Sequence, residues 1–208
     1  MNNLLIIGAG GHGKVVADAA LESGLWDGIV FLDDAWPEKQ HNGHWTIYGK
    51  VEQLEIWQAQ YRHAVVAIGH NQLRLELQSK LIAAGFEMAT IIHPSAQVSR
   101  FAKIGAGSVV CANAVINVDA EVGVAAIINT AATVDHDCRL GGGVHLAPGV
   151  HLGGGVVVGD SSLIAIGAAV RNYLVIGSDV TIGAGAVVVR DIKDGVTAVG
   201  VPARPINK

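Results

Sequence analysis

Seventeen positions spaced six apart, from Ile92 through Val98, Ile104 and Val110 to Val188, are all Ile, Val or Leu without a break. Two residues before each lies a second phase that is mostly small, as in Ala96, Ala102, Ser108, Ala114, Ala120, Ala126, Ala132, Cys138, Ser162 and Ala168. A six-residue unit of this kind is one short strand and one corner, with the aliphatic side chain filling a narrow interior. It cannot bury its apolar face alone and must stack on its neighbours, so the spacing predicts a parallel β-helix over residues 92–188. If three units close a triangle, eighteen residues make one coil. Glycines that follow the aliphatic position, among them Gly105, Gly123, Gly141, Gly153, Gly159, Gly177 and Gly183, are expected at corners with positive φ.

The first ninety residues follow another rhythm. Strands are expected at 3–7, 29–32 and 64–68 and helices at 13–23, 51–61 and 72–84, a βαβαβ order with a parallel sheet. The first strand-to-helix turn, Gly8-Ala9-Gly10-Gly11-His12-Gly13, satisfies GxGxxG, and Asp33 and Asp34 follow the second strand where an acid would meet a ribose. A dinucleotide site needs two such halves, and the chain changes to hexapeptides after one. What remains is a helix N-terminus suited to the phosphates of a nucleotide or nucleotide-sugar. Gly69, Asn71 and Arg74 fall at the same C-terminal edge of the sheet. Three parts result: a Rossmann-like domain (1–90), a β-helix (91–190) and a C-terminal tail (191–208).

Length and charge narrow the function classes. The chain has 208 residues and a net charge of -4 with only 14 Lys and Arg, which gives no footprint for nucleic acid. No apolar run reaches membrane-spanning length, and the start lacks the pattern of a signal peptide, so a cytoplasmic protein is expected. Cys111 and Cys138 are too few for a disulfide framework; Cys138, on the small inward phase, reads as a core residue, and neither is expected as a nucleophile.

Outward phases of a solenoid are undemanding, so chemistry stands out there. In Asn129-Thr130-Ala131-Ala132-Thr133-Val134-Asp135-His136-Asp137-Cys138, His136 faces outward beside Asp137. An imidazole exchanges protons near neutral pH, and a carboxylate on its other nitrogen fixes the tautomer. One coil on, His136 should stack near Gly154 in the run Gly153-Gly154-Gly155, whose bare amides can donate to an oxyanion. His145 and His151 share one outward phase six residues apart. The spacing of 136, 145 and 151 matches no local metal-ligand pattern, and no metal is expected.

With these residues in view, the chain resembles the bacterial sugar acyltransferases with left-handed β-helices, in particular the sialic acid O-acetyltransferase and bacillosamine N-acetyltransferase group. The resemblance rests on GAGGHGKVV at the start, FLDD at 31–34, AIGHNQLR at 67–74, IIHPSA at 91–96, NTAATVDHDC at 129–138, and the closing IGAGAVVVRDI and VGVPARPI. It implies the left-handed coil, a homotrimer with sites between subunits, and acetyl transfer from acetyl-CoA to a sugar amine or hydroxyl. On it, His136 matches the general base, Asp137 the acid that orients it, and the Gly154 amide the oxyanion donor. His145, Ile166 and Ala184 match acetyl-CoA contacts, with Asn129 beside them. Gly10, Gly11, His12, Asp33 and Asp34, with Gly69 and Asn71, are assigned to the sugar-nucleotide site. A nucleotide-linked 4-amino sugar of UDP type is the expected acceptor. The alternatives are O-acetylation of sialic acid or another polysaccharide sugar and, in other classes, a nicotinamide-dependent oxidoreductase or a non-catalytic scaffold.

Overall fold

A computed structural model describes residues 2–206 of the chain. The N-terminal part opens with β1 (Asn3–Ile7), α1 (Gly11–Glu22), β2 (Gly28–Leu32), β3 (His41–Asn42) and β4 (Trp45–Gly49). A short 3-10 turn (Val51–Gln53), α2 (Leu54–Gln58), β5 (His63–Val66), α3 (Asn71–Ala83) and β6 (Glu87–Met88) complete it. The sheet order is β3-β4-β2-β1-β5-β6, with β1 parallel to both β2 and β5. Leu4 to Ile7 are fully buried on both faces of the sheet, which explains their uninterrupted aliphatic run. Buried Val16, Ala17, Ala19 and Ala20 seat α1 on the sheet, and the chain leaves this helix through Gly24 at φ +68°.

Two features depart from the sequence pattern. The segment expected as one helix over 51–61 is the 3-10 turn followed by the five-residue α2. The β3–β4 hairpin leaves no mark in the sequence pattern, because its two strands carry polar and aromatic residues without alternation; β3 is the sheet edge and β4 joins β2 in parallel.

From Ile91 onward two-residue strands repeat every six residues and form three flat faces, the left-handed parallel β-helix. Strands eighteen residues apart pair in register, as in Val109 with Ile127 and Ile127 with His145. The first face carries Ile91–Ile92, His145–Leu146 and Thr181–Ile182; the second carries Thr133–Val134 and His151–Leu152; the third carries Arg139–Leu140 and Val157–Val158. The aliphatic phase from Val110 to Val188 fills the interior, together with the small phase. Coils do not stop at 190. Ile192 bridges to Ile176, and Thr197–Val199 extends the first face beside Thr181–Ile182, with Arg204–Ile206 antiparallel to it. Residues 191–206 therefore continue the prism, because Ile192 and Ala198 supply the same inward phase.

The corner glycines act differently from expectation. Gly105, Gly123, Gly141, Gly153, Gly159, Gly177 and Gly183 do not have positive φ; the left-handed residue comes two positions later, as at Gly107, Gly143, Gly155 and Asp137. At Gly105 and Gly123 an added Cβ would lie 2.5 Å from the backbone of the next coil, so close stacking is what demands glycine.

α3 lies along the edge where the third face turns into the first. Its side chains address successive coils: Gln78 donates to the Ala106 carbonyl (3.1 Å), Arg74 to those of Ala125 (2.7 Å) and Gly143 (2.8 Å), and Asn71 to that of Ser161 (2.9 Å). Gln72 completes the row by donating to Asp179 Oδ1 at 3.0 Å. α1 covers the start of the first face, where Val16 and Ala20 share an apolar cluster with Ile91, Val109 and Cys111.

Candidate active site

His136 turns the edge between the second and third faces. Its amide donates to Asp135 Oδ1 (2.8 Å), and its Nδ1 meets Asp137 Oδ2 at 2.7 Å. Asp137 holds a left-handed corner at φ 59°, a conformation that acidic and amide side chains tolerate better than most. The hydrogen bond that the ring donates to Asp137 raises the His136 pKa above its ordinary value, with the charge of Asp135 adding to it. Asp135, which the sequence did not single out, also accepts from Asn117 (2.9 Å) and so fixes the corner from the coil before.

One coil on, Gly154 lies directly beneath the imidazole, and a Cβ added there would fall on the ring around Nε2. Gly153 donates to the Val170 carbonyl (2.9 Å) and Gly155 to that of His136 (2.8 Å). Among the described residues the Gly154 N–H donates to no group. A polarised base nitrogen and an uncommitted amide thus share one small glycine floor, the arrangement acyl transfer requires.

A second cluster lies at the junction with the N-terminal domain. The rings of His12 and His145 stack with centroids 6.4 Å apart, and Asn129 Nδ2 approaches His145 Nε2 at 3.3 Å. Burial first, then the Arg74 charge, lowers the His145 pKa to about 4, while the Gly69 carbonyl works in the opposite direction. Burial, His145 and Arg74 lower that of His12 to about 4, and His12 Nε2 is buried without a partner. His145 and His151 therefore differ sharply: His151 is exposed and meets Thr133 Oγ1 at 2.9 Å, whereas the N-terminal domain covers His145.

Several expected ligand residues are already engaged within the chain. Asp33 accepts from the Ala9 amide (2.6 Å) and the Ala35 amide (2.9 Å), and Asp34 from Val51 (3.1 Å). Asn71 both accepts from Arg74 (2.9 Å) and donates to Ser161. Arg74 is 1% exposed and makes no ion pair among the described residues, so it is a bolt between domains rather than a cation facing a ligand. Burial lowers its pKa to about 10, which leaves it charged at neutral pH.

Gly10 and Gly11 have open space where side chains would be, at the start of α1, which has no side-chain cap. Lys39 donates to the Ala9 carbonyl and Asn42 to that of Gly10 (3.2 Å), so the hairpin braces the glycine turn from outside. Nothing periodic in the sequence announces these two residues. Gly8, Asp33, Asp34 and Ile68 line a cleft of 170 Å³, and Gly69 and Asn71 line a groove of 460 Å³ against the prism. Ile166, 57% exposed, and Ala184, also exposed, lie on the edge between the first and second faces. The His136 edge is thus opposite the first face, and one chain brings neither the His12–His145 pair nor Ile166 to it. Among the described residues no group of three or more His, Cys, Asp or Glu is placed to hold a metal ion, and no helix is long and apolar enough to cross a membrane.

Residues 3–81 match the PglD N-terminal domain. Over 118 residues the chain is 36% identical to UDP-N-acetylbacillosamine N-acetyltransferase of Bacillus subtilis (strain 168), a match covering 54% of this chain and 52% of that protein. That match spans about half the length of the curated relative. Solved structures are similar over the whole length. Perosamine N-acetyltransferase from Caulobacter crescentus, as a histidine variant in complex with CoA and GDP-perosamine, superposes with a TM-score of 0.96 at 40% identity, covering 100% of this chain and 98% of that one. The acetyltransferase domain of PglB from Neisseria gonorrhoeae, in complex with acetyl coenzyme A, gives a TM-score of 0.95 at 44% identity, covering 99% of each chain. With the glycine turn, the three-faced prism and the His136 corner in one chain, and with end-to-end likeness at this identity, the chain belongs to the hexapeptide-repeat sugar N-acetyltransferases.

Proposed function

We propose that the protein transfers acetyl from acetyl-CoA to the amino group of a nucleotide-linked amino sugar. The observation that carries this reading is the His136 imidazole, held by Asp137 at 2.7 Å, above the uncommitted Gly154 amide. The amine nitrogen attacks the thioester carbonyl carbon. His136 Nε2 takes the proton released from nitrogen, and the Gly154 N–H donates to the oxygen as it becomes anionic. The C–S bond then breaks, the thiolate takes a proton from solvent, and His136 gives up its own proton to solvent. Direct transfer is favoured because both cysteines are buried, and burial raises their thiol pKa values, that of Cys111 to about 12.

The open start of α1 at Gly10 and Gly11 is the proposed seat of the sugar-nucleotide phosphates, with His12, Asp33, Asp34, Gly69 and Asn71 shaping the surroundings. Because so many of these side chains are engaged internally, recognition there falls to backbone groups. His145, Asn129, Ile166 and Ala184 are the proposed contacts of acetyl-CoA. Their placement on other parts of the prism than His136 supports a homotrimer in which neighbouring copies close each site. We place the reaction in the cytoplasm, where its thioester donor is available.

The test is thiol release from acetyl-CoA against UDP-, GDP- and CMP-linked amino sugars, with mass spectrometry of the product. An alkali-stable acetyl on nitrogen is expected. No thiol release with any amino sugar, or an alkali-labile ester product, overturns the reading.

A further inference from the structure

We propose that the exposed ring of Tyr173 is a donor-binding wall of the active site, against which the pantetheine arm of acetyl-CoA lies. The proposal rests on the acetyltransfer reading above. Eight residues other than glycine have positive φ among the described residues, and seven of them are Asn, Asp, Ala or Ser. The eighth is Tyr173, at φ 57°. Small or amide-bearing side chains occupy left-handed backbone readily, whereas a bulky aromatic is disfavoured there. Such a residue persists where something other than stability requires it.

Packing within the chain does not supply that requirement. Tyr173 is 69% exposed, lies outside the prism interior, and its hydroxyl meets no partner among the described residues. It stands against the glycine floor itself: a Cβ added at Gly155 would lie 2.5 Å from Tyr173 Cδ1 and 2.7 Å from Cε1. The Tyr173 amide donates to the Gly154 carbonyl at 2.9 Å. Gly154 and Gly155 therefore form a two-residue floor, with the His136 imidazole rising from the coil before and the Tyr173 phenol from the coil after.

Direction along this edge assigns the occupant. The acceptor amine must approach Nε2 of His136, and the carbonyl oxygen must reach the Gly154 N–H. The sulfur, and the arm attached to it, then leave the reacting carbon on the side away from the base, which is the Tyr173 side. An arm of methylenes and amides suits an aromatic face with a free hydroxyl at its rim.

Tyr173→Asn and Tyr173→Phe, assayed in the full chain, test the proposal. Acetyl-CoA affinity is measured by titration calorimetry, KM for donor and for acceptor amine by thiol release, and stability by thermal melting. Tyr173→Asn is expected to weaken acetyl-CoA binding and raise its KM about 2- to 10-fold, the range of one aromatic contact. Acceptor KM should stay within about twofold, and the melting temperature should hold or rise because Asn suits the corner. Tyr173→Phe should keep donor affinity. Unchanged acetyl-CoA affinity in Tyr173→Asn, a rise confined to acceptor KM, or a lost oligomer with donor affinity intact would each overturn it. If the wild-type chain releases no thiol, the acetyltransfer reading fails, while calorimetry still decides whether Tyr173 contacts the donor.

Discussion

The imidazoles of His12 and His145 lie stacked at 6.4 Å, one delivered by α1 and the other by the first face of the prism. Burial lowers both pKa values from 6.5 to about 4. An unfolded chain binds these two protons below about 6.5, whereas the folded chain takes them only near 4. The stability they contribute is complete above the upper value and lost as pH falls through this window. Thermal melts from pH 8 to pH 4.5 should show a plateau and then a decline of about 5 °C or more. The decline should be shallower in His145→Gln; an equal slope in that variant would show that other groups carry it.

His136 is predicted to govern the rate. His136→Ala should lower kcat by about 10² to 10⁴ with little change in melting temperature, since the ring lies at the surface with 44% of the side chain exposed. The base must be neutral, and Asp137 raises its pKa, so kcat/KM should fall as pH drops through a value above 6.5. Asp137→Asn removes that effect and should move the acid limb to lower pH. A limb that stays in place in the variant would assign the titration to another group.

Gly154→Ala keeps the amide but puts a methyl group where the imidazole lies. The ring must move, and misplacing a reacting group by about 1 Å costs on the order of 10² in rate. A kcat loss of that size with donor KM within about twofold is expected from steady-state kinetics. Normal turnover would show that the close approach of these two residues is incidental.

Arg74→Met leaves the carbonyls of Ala125 and Gly143 without their donor at the domain junction. Unpaired buried acceptors cost about 1–3 kcal/mol each, so a destabilisation of about 3 kcal/mol and a melting shift of about 6–12 °C are expected. Arg74→Lys carries the charge without the fork and should recover less than half of the shift. A shift under about 2 °C for Arg74→Met would remove the bolt from the account of domain docking.

Much of this was legible in the residues alone. The aliphatic phase from Ile92 to Val188 required a stacked prism, since each six-residue unit must bury one face, and the eighteen-residue coil that follows put His136 over Gly154. The pair of β1 and α1 was equally plain from Asn3–Ile7 and the glycine turn. Less visible were interactions without periodicity: Lys39 and Asn42 bracing the glycine turn, Asp135 beneath His136, and Tyr173 at a corner reserved elsewhere for small residues.

What the sequence by itself determined was which side chains point out of the prism; the tertiary structure alone decided what covers them. His145 and His151 share one outward phase, yet one is sealed beneath the N-terminal domain and the other stays in solvent. Asp33, placed where a ribose acid belongs, holds the Ala9 amide instead, and Arg74 turns into the junction. Periodicity follows from the geometry of one repeating strand and corner, so it is written locally. The docking of one domain on another is set by side chains distant in sequence, and no local pattern records it.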